Sequence, residues 1–225
     1  MQKALFSSLP SINHWPTRVD LAAACHWAGN HGATDPGGFA GVITIESGVL
    51  ATPPAIPLAS VTATTLLETP DQADPLLAAL APLVASPCLL FARTPNSTAL
   101  AALAESQLPP ICADSALFYH KHVIDPDFGG RSPADEATRL SALLAAPECL
   151  IAVIGNLGLL ALGNSVAEAV RHLHFFERAA GTYLSALATG RALRIIPEDI
   201  IGTRTMPHAE PILAPYRPVE GAGRD

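Results

Sequence analysis

The chain has 225 residues, 49% of them hydrophobic, and only 15% carry charge, against about 25% in an ordinary soluble protein. A formal net charge of −7 with no basic stripe argues against phosphate-backbone binding, so no nucleic-acid partner is expected. The length suits one α/β domain, and the sparse charge predicts that part of the surface is buried against other subunits.

Met1 to Pro16 reads as an irregular arm, and residues 1–18 are set apart from the domain on that ground. A helix is predicted from Asp20 to His31, with Leu21, Cys25 and Ala28 on one face. Asp35-Pro36-Gly37-Gly38 is a loop, Gly41 to Ser47 a strand, and Glu46-Ser47-Gly48 a turn into a second strand, Val49 to Thr52. Pro75 to Ala92 is uncharged for about the length of a bilayer span. Pro82 and Pro87 break it, so a helix (Leu76 to Ala85) and a buried strand (Cys88 to Phe91) are expected, and no membrane insertion. Thr94-Pro95 starts a helix running to Glu105, and Ser132-Pro133-Ala134-Asp135 starts another to Ala145. Cys149 to Ile154 and Leu159 to Leu162 are apolar strands. Ser165-Val166-Ala167-Glu168 then caps the longest helix, whose apolar stripe runs through Ala169, Leu173, Phe176, Ala180, Tyr183 and Leu187 to Gly190. A short helix follows Pro197, and residues 203–225 form a proline-rich tail. The N-terminus carries no signal-peptide pattern. The cysteines Cys25, Cys88, Cys112 and Cys149 form no CxxC pair and read as buried thiols, so a cytoplasmic location is expected.

The stretch Gly158-Leu159-Leu160-Ala161-Leu162-Gly163-Asn164-Ser165-Val166-Ala167-Glu168-Ala169, followed by Phe176-Glu177-Arg178-Ala179, resembles the C-terminal signature of the class II aldolase/adducin family. Thr94-Pro95 with Ala99 to Leu103 and Leu108-Pro109-Pro110, and Thr52-Pro53-Pro54 with Pro57-Leu58, are similar to two further family segments. The resemblance spans about Val19 to Arg194 and defines a domain over residues 19–202. It implies an α/β/α sandwich around a central mixed or antiparallel sheet, assembled as a homotetramer with the active site between subunits. In active members a divalent metal, often zinc, is held by histidines and acts as a Lewis acid on an enediolate.

Carried over position by position, the resemblance implies that those ligands are gone. The His-x-His pair falls on Phe91 and Arg93, and the histidine of Asn-His-Gly on Leu157, in Gly155-Asn156-Leu157-Gly158. The acid/base glutamate falls near Gln72, with Asp71 and Asp74 close by. The phosphate-loop asparagine falls near Val42, and the catalytic tyrosine near Ile124, although Phe118-Tyr119 is kept. Phe91 and Leu157 cannot ligate, and Arg93 would repel a cation. No metal and no other cofactor is therefore expected, and Phe91, Leu157 and Tyr119 would line what remains of the substrate cleft.

Two sets of residues are candidate replacements. His120-x-His122 would present both rings on one side of an extended segment, as a metal pair or acid/base pair requires. Asp125 and Asp127 follow it, but no third ligand has useful spacing. Arg93 could hold a carboxylate or enolate oxygen in the metal's stead, pair with a neighbour such as Asp114, or simply point to solvent. His172 and His174, two apart on a helix, point to different faces and read as packing residues. His26 and His31 lie near a helix C-terminus, where they suit the dipole. Two functions stay open. One is a non-catalytic binding or assembly subunit, homo-oligomeric or partnered with an active paralogue, with room for a small-molecule ligand. The other is a metal-independent lyase, decarboxylase or isomerase acting on a small acidic or aromatic substrate through Arg93, His120 and His122.

Overall fold

The computed structural model of the chain describes residues 14–33, 37–104, 107–127, 129–155, 157–203 and 207–218. In chain order the elements are α1 (Trp15–Asn30), β1 (Phe39–Ile45), β2 (Gly48–Ala51), α2 (Pro75–Leu80), β3 (Cys88–Ala92), α3 (Pro95–Ala101), α4 (Ala113–Ala116) and β4 (His122–Asp125). There follow α5 (Pro133–Leu144), β5 (Ile151–Ile154), β6 (Gly158–Gly163), α6 (Val166–Leu187), α7 (Glu198–Ile201) and α8 (Glu210–Leu213). The strands form one open mixed sheet in the order β2-β1-β3-β6-β5-β4. Only β4 and β5 are parallel, joined through α5; every other neighbouring pair is antiparallel.

The inner strands are continuous apolar runs because both of their faces are covered. Leu90, Leu159, Ala161, Ile151 and Val153 face α1, α3 and α6, whereas Leu89, Leu160, Leu162, Ala152 and Ile154 face α2 and α5. Consecutive side chains thus feed two separate cores, which is the α/β/α sandwich that the resemblance implied. The stripe of α6 behaves as its spacing predicts. Ala169, Leu173, Phe176, Ala180 and Tyr183 are buried, and Leu187 emerges at 42% exposure where the helix leaves the sheet.

Several boundaries differ from expectation. The first helix starts at Trp15, since Pro16 fits its first turn and Arg18 is buried, donating to the Ala63 carbonyl at 3.1 Å. The expected arm therefore ends sooner, and residues 1–13 lie outside the described residues, as do Asp35 and Pro36 of the expected loop. The helix after Pro75 ends at Leu80 and tightens into a 3-10 turn at Pro82, which has no N–H to continue it. The helix predicted to reach Glu105 stops at Ala101, and Glu105 itself lies outside the described residues. Beyond residue 203 the chain does not simply trail away: Leu213 is fully buried, and Arg217 reaches back to Asp20 at 2.7 Å. Among the described residues no helix is long and apolar enough to cross a membrane.

Two contacts fix the centre of the domain. Gly158 adopts φ +145° and lies so close to β3 that a Cβ there would meet the Ala92 carbonyl oxygen at 2.6 Å, so only glycine fits the start of β6. Glu177, buried on α6, accepts from Thr94 Oγ1 (2.6 Å), Asn96 N (2.8 Å) and Ser97 N (2.9 Å). It thereby satisfies the free amides at the start of α3, a job expected of Thr94 alone, whose side chain makes no cap bond. Glu177→Ala should therefore cost about 3 kcal/mol in urea unfolding, and Glu177→Gln, which keeps one acceptor, roughly half of that.

Candidate functional site

The C-terminal ends of β3, β4 and β5 and the start of β6 share one edge of the sheet. At that edge β3 continues into Arg93, whose backbone N–H donates to the Gly38 carbonyl at 2.7 Å. The side chains of Phe91 and Arg93, two apart on an extended strand, leave on the same side. The guanidinium carbon of Arg93 sits 5.6 Å from the centre of the Phe91 ring, within cation–π range. Arg93 Cγ also lies 3.2 Å from the place a Gly158 Cβ would occupy, and Leu157 Cδ1 comes within 3.9 Å of the same point on Gly129. Phe91 and Leu157 pack against the α2/α5 core, while Arg93 is exposed. The structure therefore gathers Phe91, Arg93 and Leu157 into one corner. Asp114, a suggested partner for Arg93, pairs instead with Arg178 at 3.1 Å.

His120 and His122 do not join that corner within the subunit. Ala92, Leu159, Val153 and Ile124 lie in one row across the sheet. His122 is two residues below that row and three strands from β3, and Arg93 is one residue above it. At standard strand spacings their Cα atoms are roughly 17 Å apart, at opposite edges. The extended geometry expected of His120-x-His122 is also absent. His120 has φ 57° in the turn before β4, whereas His122 is the first residue of the strand, its Nδ1–H donating to the Phe118 carbonyl at 2.8 Å. Burial, the largest influence, holds the His122 pKa below its ordinary value. Tyr119 lies tilted against His120 (centroids 3.9 Å apart) and donates to Glu198 Oε1 at 2.6 Å. These residues line a shallow cavity of about 380 Å³ against α7, away from Phe91 and Leu157.

Asp125 and Asp127, which follow the two histidines, lie on the same edge as Arg93 but are taken by arginines. Arg139 grips buried Asp125 through two bonds, Nη1 to Oδ1 at 3.0 Å and Nη2 to Oδ2 at 2.5 Å, and also binds Glu136. Arg131 bridges Asp127 (2.8 Å) and Glu136 (3.2 Å). A Cβ on Gly155 would meet the carbonyl oxygens of Asp125 and Asp127 at 2.8 and 2.9 Å, so β5 is closely docked against this network. Sequence reasoning noticed the two aspartates and not their arginines; Glu136 and Arg139 at i, i+3 on α5 were the available sign. Among the described residues, no three histidine, cysteine, aspartate or glutamate side chains are grouped so as to hold a metal ion.

Residues 84–184, which include β3, β6 and most of α6, match the family described as the Class II Aldolase and Adducin N-terminal domain. Over that stretch, the chain is of the class II aldolase/adducin type. Solved structures agree on the fold. An aldolase II superfamily protein from Pseudomonas syringae is 23% identical with a TM-score of 0.73, over 85% of this chain and 84% of that one. L-fuculose 1-phosphate aldolase from Glaciozyma antarctica is 15% identical with a TM-score of 0.72, over 96% and 92%. L-fuculose-1-phosphate aldolase from Thermus thermophilus is 18% identical with a TM-score of 0.62, over 79% and 99%. No curated protein matches the chain in sequence.

The charged network around Asp125, Asp127 and Glu136 makes a pH-dependent contribution. Hydrogen bonds from Arg131 hold Asp127 down at a pKa of about 2, and those from Arg139 hold Glu136 below the usual carboxylate range. A depressed folded-state pKa stabilises fully above the unfolded value and is lost as pH falls through the folded one. For Asp127 the loss should run from about pH 4, its ordinary value, down to about pH 2. Carboxyl NMR titration should find Asp127 near that low value, and Arg131→Ala should return it towards about 3.9.

Proposed function

We propose that the chain is a class II aldolase/adducin-type protein without the family's metal-dependent lyase site, acting as a non-catalytic binding or assembly subunit. The observation that carries this reading is the corner at the head of β3 and β6. The positions that the resemblance assigns to histidine ligands are Phe91, Arg93 and Leu157, and the Arg93 guanidinium lies over the Phe91 ring. These residues do not fit a divalent cation. Two offer only carbon, and the third carries a permanent positive charge where a metal would have to sit. The carboxylates of Asp125 and Asp127 on the same edge are already neutralised by Arg139 and Arg131.

The assembly in this reading is a homotetramer, or a hetero-oligomer with an active relative. Its support is the low charge of the chain and the exposure of Trp15 (45%), Leu83 (50%) and Ile195 (52%) on the single subunit. Four free thiols suit the reducing cytoplasm as its location.

One observation favours a second reading. Arg93 is exposed and, among the described residues, forms no ion pair, so its guanidinium is available to a carboxylate or enolate oxygen. That geometry suits a metal-independent lyase, decarboxylase or isomerase, and turnover abolished by Arg93→Ala with the fold intact would favour it.

Restoring the histidines tests the first reading. Isothermal titration with zinc should show no stoichiometric binding to the natural chain. The triple variant Phe91→His, Arg93→His, Leu157→His should gain at least about a hundredfold in affinity, since imidazole donors then converge on one corner. Tight zinc binding by the natural chain that the triple variant leaves unchanged would sink the proposal.

A further inference from the structure

The opposite helical layer holds a second concentration of chemistry, on the other side of the sheet from Phe91 and Leu157. The last turns of α1, the middle of α6 and residues 207–218 enclose a cavity of about 540 Å³. One wall is the stacked pair Trp27 and His31, with ring centres 4.5 Å apart and planes at 22°. His174 from α6 stands edge-on to both, at 6.2 and 5.4 Å, and Tyr216 lies 6.2 Å from His31. The facing wall is held in place. Arg171 donates to the Pro207 carbonyl at 3.3 Å, Leu213 is fully buried beside the cavity, and Arg217 is tied to Asp20 at 2.7 Å.

The polar atoms of this cavity are incomplete. Trp27 is fully buried, yet its indole Nε1–H meets no acceptor among the described residues, and the buried Nδ1 of His174 is likewise unpartnered. Buried polar atoms in folded proteins are almost always paired, with protein or with something bound. His31 is oriented, its Nδ1–H donating to the Trp27 carbonyl at 2.8 Å, which leaves Nε2 as an acceptor for another partner. At the rim Arg178 lies 5.4 Å over the Phe175 ring. Among the described residues the lining holds these nitrogen groups and no aspartate or glutamate. The indole N–H can only donate, so an occupant that completes it must bring an acceptor oxygen, and the ring faces and prolines around it call for a flat apolar body.

We propose that this cavity is a binding site for a small aromatic carboxylate, distinct from the corner at Arg93. The ring of the ligand lies among Trp27, His31 and Tyr216, and its carboxylate accepts from Trp27 Nε1–H, with His174 beside it. Burial, His31 and Arg178 hold His174 at a pKa of about 4, so it is neutral in the empty protein at neutral pH. A phosphate is disfavoured as the occupant because Arg178, the one permanent cation among the described lining residues, is already shared with Asp114 at 3.1 Å.

The test is isothermal titration of the whole chain with benzoate, alongside benzyl alcohol and cyclohexanecarboxylate. Benzoate should bind saturably at one site per subunit, and each analogue at least about tenfold more weakly, since one lacks the carboxylate and the other the flat ring. Trp27→Phe keeps the stack and removes the donor, so it should weaken benzoate by about tenfold. The half-buried His174 gives an independent variant should Trp27→Phe fail to fold, and His174→Phe should weaken binding by at least about threefold. Ile212→Trp, which fills the cavity from its outer wall, should abolish binding. Absence of saturable benzoate binding would overturn the proposal. So would binding that survives His174→Phe and Ile212→Trp, or that is lost in Arg93→Ala alone, since the ligand would then belong to the other corner.

Discussion

The antiparallel pairing of β3 with β6 is the contact on which the rest of the domain hangs. Every strand on one side joins the sheet through β3 and every strand on the other through β6. The pairing runs from Cys88 against Gly163 to Ala92 against Leu159. At its head the two backbones come so close that residue 158 must be glycine, with a Cβ excluded by the Ala92 carbonyl. That same head carries Phe91, Arg93 and Leu157. A family scaffold and a changed site are therefore compatible: backbone packing sets the positions, and the side chains that point off the edge are free to differ.

What those side chains do follows from their chemistry. A histidine cluster would draw a cation into the corner and leave a coordination position open. A phenyl ring, an aliphatic chain and a guanidinium offer it no ligand, and the one cation present lies over the ring. The neighbouring edge, where Asp125 ends β4, is self-satisfied by Arg139 and Arg131. Charge at this end of the sheet is spent on holding elements together.

Much of the fold was legible in the sequence because the long elements carry strong periodic or boundary signals. The capped start and apolar stripe of α6, the uninterrupted runs of β3, β5 and β6, and the prolines opening α3 and α5 each state their structure locally. The elements left unread were short and set by contacts remote in sequence. β4 has only four residues, two of them polar or charged at its ends, and exists because Ile151 to Ile154 offers a parallel partner. His120 lies in a left-handed turn, which no period-two reading of His120 and His122 could foresee. Glu177 as the cap of α3, and the meeting of Trp27, His31 and His174, each join helices distant in the chain. The spacing of His172 and His174 did correctly send them to different faces: His172 faces the Leu162 carbonyl and His174 the aromatic cavity.

The central claim is that the inherited metal site has been replaced by a cationic and apolar corner. Native mass spectrometry of the untagged protein, purified without chelators, reads bound metal and assembly mass in one experiment. The account predicts a tetramer whose mass is that of its polypeptide chains alone. One divalent ion per subunit would contradict it.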